Sequence, residues 1–195
     1  MTAIILCGGR SIRMGRDKGA MLFAGETMLS RVTRVAEAVA SDVIIVGRRD
    51  QPSTTVHDAV EDQGPLAGIA AGLAASASDV NLVLACDMPL IRPAVLQRLV
   101  EALGDHDACV AIVDGYPSAL CGVYRSRIAT DARALLDSGQ RRVTALLDCV
   151  QTKRVDAAAF RDIDPELESF TSVDTIEKYE WAIRRSRAPR RSPDA

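Results

Sequence analysis

What the chain lacks narrows its possibilities first. Its 24 Lys and Arg face 26 Asp and Glu, a formal net charge of −2, so no global positive excess draws it to nucleic acid. No apolar run approaches the roughly 20 residues of a membrane helix, and residues 1–20 lack the apolar centre of a signal peptide. The five cysteines are odd in number and scattered, with no CxxC pair. That pattern argues against a disulfide framework or a zinc site, and for reduced core thiols in a cytoplasmic protein. Aromatics are scarce, and the basic segment from Arg184 to Pro193 has none on which bases could stack. Of the two histidines, His57 stands beside Asp58 with no Ser or Cys nucleophile paired to it, and it reads as structural. There are no internal repeats and no linker that would separate two domains.

With 195 residues, 48% hydrophobic and 26% charged, the chain is long enough for one domain with a real core. We place that domain at residues 1–185, followed by a basic, proline-broken tail at 186–195, expected to be disordered.

The stretch that organises the chain runs from Leu6 to Lys18. The apolar run Ala3-Ile4-Ile5-Leu6 reads as a buried strand, and Cys7-Gly8-Gly9 then opens a polar, basic loop. Without Cβ atoms, Gly8 and Gly9 let backbone N–H groups approach a ligand and curl around an anion. Arg13 and Lys18 add positive charge to the same loop. Backbone donors plus a basic pair suit a nucleoside triphosphate, whose charge must be balanced before phosphorus is attacked. This is not a Walker-A loop, because Gly15 is followed by Arg16-Asp17-Lys18-Gly19, and Gly8, Gly9 and Gly15 do not give Gly-x-Gly-x-x-Gly.

A second chemical centre is Asn81-Leu82-Val83-Leu84-Ala85-Cys86-Asp87-Met88-Pro89. An apolar strand carries a single carboxylate out at its C-terminal end, where ligands of open parallel sheets collect. Mg²⁺ typically takes one or two carboxylates plus phosphate oxygens, so Asp87 reads as a metal ligand; an Asp opening a turn is the plainer alternative. Between the two centres, Met28–Val39 has helical spacing, Asp42–Gly47 reads as a buried strand and Thr54–Asp58 as a short one. Gly64-Pro65-Leu66 starts a tightly packed helix. Further on, Pro93–Leu103 is a helix closed by Gly104, and Ala108–Val113 and Tyr116–Tyr124 are strands joined at Asp114-Gly115. Helices follow over Arg127–Leu136, after Arg141-Arg142, and from Ile176 to about Arg185, with Val150–Val155 as an edge strand. Strands alternating with helices predict an α/β fold of three layers around a mostly parallel sheet.

Leu-x-Gly-Gly-x-Ser-x-Arg-Met-Gly-x-Asp-Lys, as it stands from Leu6 to Lys18, together with Cys86-Asp87-Met88-Pro89, resembles the signature of the molybdenum cofactor guanylyltransferase family. The resemblance extends from Thr2 to about Trp181 and implies a Rossmann-like nucleotidyltransferase fold. It implies that Leu6, Cys7, Gly8, Gly9, Arg13, Lys18, Asp58, Gly64, Pro65, Leu66 and Asp87 bind the nucleotide, with Asp62 second to Asp58 as the acidic residue at the base. It implies Arg13, Lys18 and Asp87 as the catalytic set and Mg²⁺ as the cofactor. The reaction it implies moves GMP from GTP to the molybdopterin cofactor and releases pyrophosphate, with transient contact to cofactor-delivery proteins or molybdoenzymes.

The chain departs from the family at three points. Cys7 replaces the usual Ala, another small residue. Tyr116-Pro117 replaces a His-Pro that faces the pterin, and Tyr116 can stack on a planar acceptor or be an ordinary strand aromatic. Ser172-Val173-Asp174-Thr175 replaces Asn-x-Asn-Thr near the metal, so Asp174 is a second metal ligand or the acid that opens the last helix. Arg141 and Arg142, two guanidinium forks at a helix start, suit an acceptor phosphate. Other readings of the same chain are a cytidylyltransferase, a sugar-phosphate nucleotidyltransferase, or a non-catalytic nucleotide-binding accessory protein.

Overall fold

The computed structural model describes residues 1–7, 19–47, 55–57 and 64–187. In chain order these form β1 (Thr2–Leu6), β2 (Leu22–Phe23), β3 (Glu26–Thr27), α1 (Met28–Glu37), β4 (Asp42–Gly47), β5 (Val56–His57) and α2 (Pro65–Ala75). Then come β6 (Val80–Ala85), α3 (Pro93–Leu103), β7 (Ala108–Val113), β8 (Tyr116–Arg125), α4 (Ala129–Asp137), α5 (Val143–Cys149), β9 (Thr152–Asp156) and α6 (Ile176–Arg187).

The central sheet has seven strands in the order β5-β4-β1-β6-β8-β7-β9. Its β4–β5, β1–β4, β1–β6 and β7–β9 pairs are parallel, and only β8 runs against both of its neighbours. The mostly parallel three-layer arrangement expected from the sequence is the one observed. Alternation along the strands splits the core in two. Ala3, Ile5, Leu82, Leu84, Cys109 and Val123 pack with Val32 and Val35 of α1 and with Val95, Leu96 and Leu99 of α3. Ile4, Val83, Val110 and Tyr124, facing the other way, pack with α2, α4 and α5 through Leu66, Ile69, Ala132 and Leu146.

Local chemistry explains the boundaries. Thr27 caps α1, its hydroxyl accepting the Ser30 N–H at 3.0 Å. Pro65 begins α2 where no N–H is needed, and Leu103 ends α3 before Gly104. Gly72 of α2 lies so close to the sheet that a Cβ there would stand 2.4 Å from Ile4 Cγ2. The β7–β8 turn is Asp114-Gly115, with φ of 51° and 82°, the primed geometry that matches strand twist. The same geometry recurs at Ala24-Gly25, φ 51° and 93°. There it makes a hairpin of β2 and β3 that no local signal announces, because Ala at a positive φ is a weak turn signal. At the sheet edge, β9 begins at Thr152 and carries Lys153 and Arg154 exposed, charges that discourage further strand pairing.

The C-terminal segment returns to the first half of the fold. Val173 and Ala182 are buried in a third, small cluster with Phe23, Met28 and Leu90. Helix α6 runs to Arg187, two residues past the expected domain end at 185. The remaining tail, 188–195, lies outside the described residues. No helix among the described residues is long and apolar enough to cross a membrane.

Candidate active site

Strand β1 sits mid-sheet, and the connections leaving β1 and its neighbour β6 diverge, one towards β4 and the other towards β7. In an open α/β sheet such a divergence opens a crevice at the strands' carboxyl ends. The registers place Leu6 level with both Val46 and Ala85. The ladder runs one rung further, with the Cys7 N–H donating to Val46 O at 2.8 Å and the Cys86 N–H to Leu6 O at 3.1 Å. The exit of β1 and the residue before Asp87 therefore meet at one level. Cys7 and Cys86 are both buried, whereas Asp87, the first residue beyond this seal, is partly exposed.

The Asp87 turn is fixed by partners distant in sequence. Its carbonyl accepts the Val173 N–H at 2.8 Å, and its Oδ2 accepts the Ser172 hydroxyl at 3.0 Å. Two residues on, Pro89 O accepts the Nε–H of Arg31 at 2.5 Å. Arg31 is itself held by Glu26 Oε1 at 3.3 Å and lies over the Phe23 ring, 5.1 Å from its centroid. Arg34 and Arg31 together hold the Glu26 carboxyl below its ordinary range.

Of the other nucleotide candidates, Gly64, Pro65 and Leu66 form the start of α2. Gly64 has φ 78°, a conformation that favours glycine, and a Cβ there would lie 3.8 Å from the Arg141 carbonyl. The α2 start and the α4–α5 turn are thus neighbours. The α2 start has no side-chain cap. Gly8, Gly9, Arg13, Lys18 and Asp58, and likewise Asp62, lie outside the described residues.

On the acceptor side, Leu84 pairs with Cys121, so Tyr116–Leu120 of β8 precedes the stretch paired with β6. β8 bulges here, since Gly122 pairs with Val110 and Pro117 with Ile112, five residues of β8 against two of β7. Tyr116 pairs with Val113 and is 77% exposed. Arg141 is half-buried and donates through Nη1 to Leu136 O at 2.7 Å and Gln140 O at 3.1 Å, while Arg142 is exposed. Gln140 Oε1 accepts the N–H groups of Arg141 and Arg142 at 3.0 and 3.1 Å. Those two backbone donors at the helix start are thus engaged by a neighbouring amide. Asp174 pairs with Lys178 Nζ at 2.7 Å, and the cap of α6 is Thr175, whose Oγ1 accepts the Lys178 N–H at 3.2 Å.

Sequence reasoning had not singled out Arg31 and had noted Ser172 only as a departure from Asn. Arg31 looked like one more polar position on an amphipathic helix, and only the closed fold shows it reaching Pro89, 58 residues away.

The description "MobA-like NTP transferase domain" matches residues 3–155. The chain belongs to this family. A protein of Methanothermobacter thermautotrophicus named "Probable molybdenum cofactor guanylyltransferase" is 34% identical over 89% of this chain and 94% of its own length. The "Molybdenum cofactor guanylyltransferase" of Pseudomonas entomophila is 32% identical over 89% of this chain and 94% of its own. The fold is that of the crystal structure of molybdopterin-guanine dinucleotide biosynthesis protein A from Archaeoglobus fulgidus. That match has a TM-score of 0.82 and 24% identity, over 95% of this chain and 98% of that one. The MobA-like domain thus contains the β1 exit, the α2 start, Asp87 and the β7–β8 hairpin, while Ser172 and Asp174 follow its matched span.

Proposed function

We propose that this MobA-like transferase moves GMP from GTP to the phosphate of a molybdopterin-type acceptor and releases pyrophosphate. The observation that carries this reading is the meeting of the β1 exit with the Asp87 turn at the β1/β6 divergence. A loop rich in backbone donors and a carboxylate then serve one ligand. The acceptor phosphate oxygen attacks the α-phosphorus, the bond from that phosphorus to the bridging oxygen breaks, and pyrophosphate departs with the electron pair. An acceptor phosphate is already ionised at neutral pH, so no protein nucleophile or strong base is required.

The Gly8-Gly9 loop, Arg13 and Lys18 would hold the triphosphate and offset the charge that builds on the leaving pyrophosphate. Asp58 and the Gly64-Pro65-Leu66 start of α2 would border base and ribose. Asp87 fits Mg²⁺ as a partly exposed carboxylate at a strand end, since that ion needs few protein ligands beside phosphate oxygens. Asp174, whose Oδ1 pairs with Lys178 Nζ at 2.7 Å, would be the second ligand. When bound, Mg²⁺ supplies Lewis-acid polarisation of the phosphate oxygens. Tyr116, Arg141 and Arg142 would face the acceptor. A cytoplasmic setting suits the reading, because the five cysteines are free thiols.

Calorimetric titration with GTP, CTP and ATP, each with and without Mg²⁺, tests the proposal. Binding is expected to favour GTP and to strengthen with Mg²⁺, and pyrophosphate is expected when acceptor is added. A preference for CTP would keep the chemistry and change the product. Binding of no nucleotide would sink the enzyme reading altogether.

A further inference from the structure

We infer that Ser172 is a positioning residue that orients the Asp87 carboxylate for the metal ion; the inference rests on the nucleotidyltransferase reading above. The Ser172 hydroxyl lies 3.0 Å from Asp87 Oδ2 across 85 residues of sequence. An ionised carboxylate only accepts, so the hydroxyl is the donor. A single such bond on a freely rotating serine would orient little. Here the serine backbone is itself fixed, because the next residue donates its N–H to the Asp87 carbonyl at 2.8 Å. The Val173 side chain is also buried without exposure against Phe23, Met28 and Leu90. This strap, residues 172–175, therefore grips Asp87 at one main-chain and one side-chain oxygen, and Arg31 holds the same turn at Pro89 O.

The two bonds have separate consequences. The main-chain bonds fix where the turn lies, whereas the Ser172 hydroxyl acts on the carboxylate itself. Groups that orient a metal-binding side chain in this way commonly govern metal affinity more than they govern folding. The strap's own carboxylate, Asp174, is directed to Lys178 and its Thr175 to the α6 cap. What the strap gives to Asp87 is thus a hydroxyl and an amide.

The test is Mg²⁺ titration of GTP binding by calorimetry on the full chain, comparing the native protein with Ser172→Ala and Ser172→Thr. We expect Ser172→Ala to weaken the apparent Mg²⁺ affinity about tenfold, with Ser172→Thr, which keeps the hydroxyl, recovering to within about threefold. GTP affinity without metal and the melting temperature should stay as they are in both variants. If Ser172→Ala fails to fold, Ser172→Cys takes its place, since a thiol is a weak donor of similar size and should behave as the alanine. An unchanged Mg²⁺ affinity in Ser172→Ala, or a loss that threonine does not recover, overturns the role of Ser172. Absence of Mg²⁺-dependent GTP binding in the native protein would instead overturn the function reading itself.

Discussion

The two halves of the sheet solve different problems. In β5, β4, β1 and β6 all strands run one way, and at β1 and β6 they stop level, so chemistry must come from the loops that leave them. In β8, β7 and β9 one reversed strand, bulged against β7, brings its own backbone and Tyr116 to that edge. The first half opens at its end, where Asp87 is partly exposed just beyond buried Cys86. The second is sealed where β7 and β8 pair, with Cys109, Val110, Cys121, Val123 and Tyr124 wholly buried. Function should therefore be lost without unfolding in the first half, and stability lost before function in the second.

The largest effect should come at the open end. In Asp87→Ala, pyrophosphate release is expected to fall about a thousandfold or more, in line with the several kcal/mol a bound metal contributes to charge stabilisation. The main-chain bond from Val173 survives that change, so urea unfolding should match the native protein to within about 1 kcal/mol. Near-native turnover in this variant would remove Asp87 from the chemistry and erase the contrast between the halves.

The sealed half should answer in stability instead. A Cβ at Gly122 of β8 would lie 2.9 Å from Val110 Cγ1 and 3.0 Å from the backbone oxygen of Cys109, which cannot rotate away. Gly122→Ala is expected to cost about 1–3 kcal/mol in urea unfolding, the range of overpacked cores. The matching change in the parallel half, Gly72→Ala, meets a closer contact, 2.4 Å to Cγ2 of the buried, β-branched Ile4, offset by up to ~1 kcal/mol of helix propensity. The two costs should be of similar size; a clearly smaller cost at Gly122 would show that β8 adjusts more readily than α2.

This contrast also explains what the sequence made legible. The strands of both halves announced themselves as short apolar runs, and Asp114-Gly115 marked the hairpin, because these signals are local. Asp87 was legible too, as one carboxylate at the end of an apolar strand. The contacts that hold the Asp87 turn were not. Ser172 lies 85 residues away, its segment brought near the metal only by the family resemblance, and Arg31, on a helix face, carries no mark of Pro89. Nor did the sequence reveal that Gln140 occupies the N–H groups of Arg141 and Arg142, since a side chain folding back on the next two residues leaves no spacing to read.

A pH experiment sharpens the same division. Burial, aided by the negative charge of Asp164, pushes the Cys121 thiol up from 9.0 to about 12, and burial alone pushes Cys109 to about 11. A raised thiol value means the fold binds the proton more tightly than the unfolded chain does. The stability linked to these protons is whole below pH 9 and drains away as pH rises from there towards 11 and 12. Each such thiol removes at most about 1.4 kcal/mol per pH unit. Urea unfolding at pH 8 and pH 10.5 should therefore show a smaller loss in Cys121→Ala than in the native chain, even though the variant starts less stable. Equal losses would mean that the mixed half is less sealed than its burial indicates.

The smallest effect is expected where the sealed half reaches into the site. Tyr116 stands at the start of β8, 77% exposed, so its removal takes little packing from the fold. If β8 meets a planar acceptor, Tyr116→Ala loses one aromatic contact, about 0.5–1.5 kcal/mol, or roughly 2–13-fold in acceptor KM. The KM for GTP and the melting temperature should not move, because the nucleotide is assigned to the loops of the parallel half. Should acceptor and GTP constants rise together, Tyr116 would be acting on the nucleotide side, and β8 and the loops would form one site rather than two. Should neither move, Tyr116 is an ordinary exposed strand residue, and the acceptor must be held by other groups, with exposed Arg142 the next to vary.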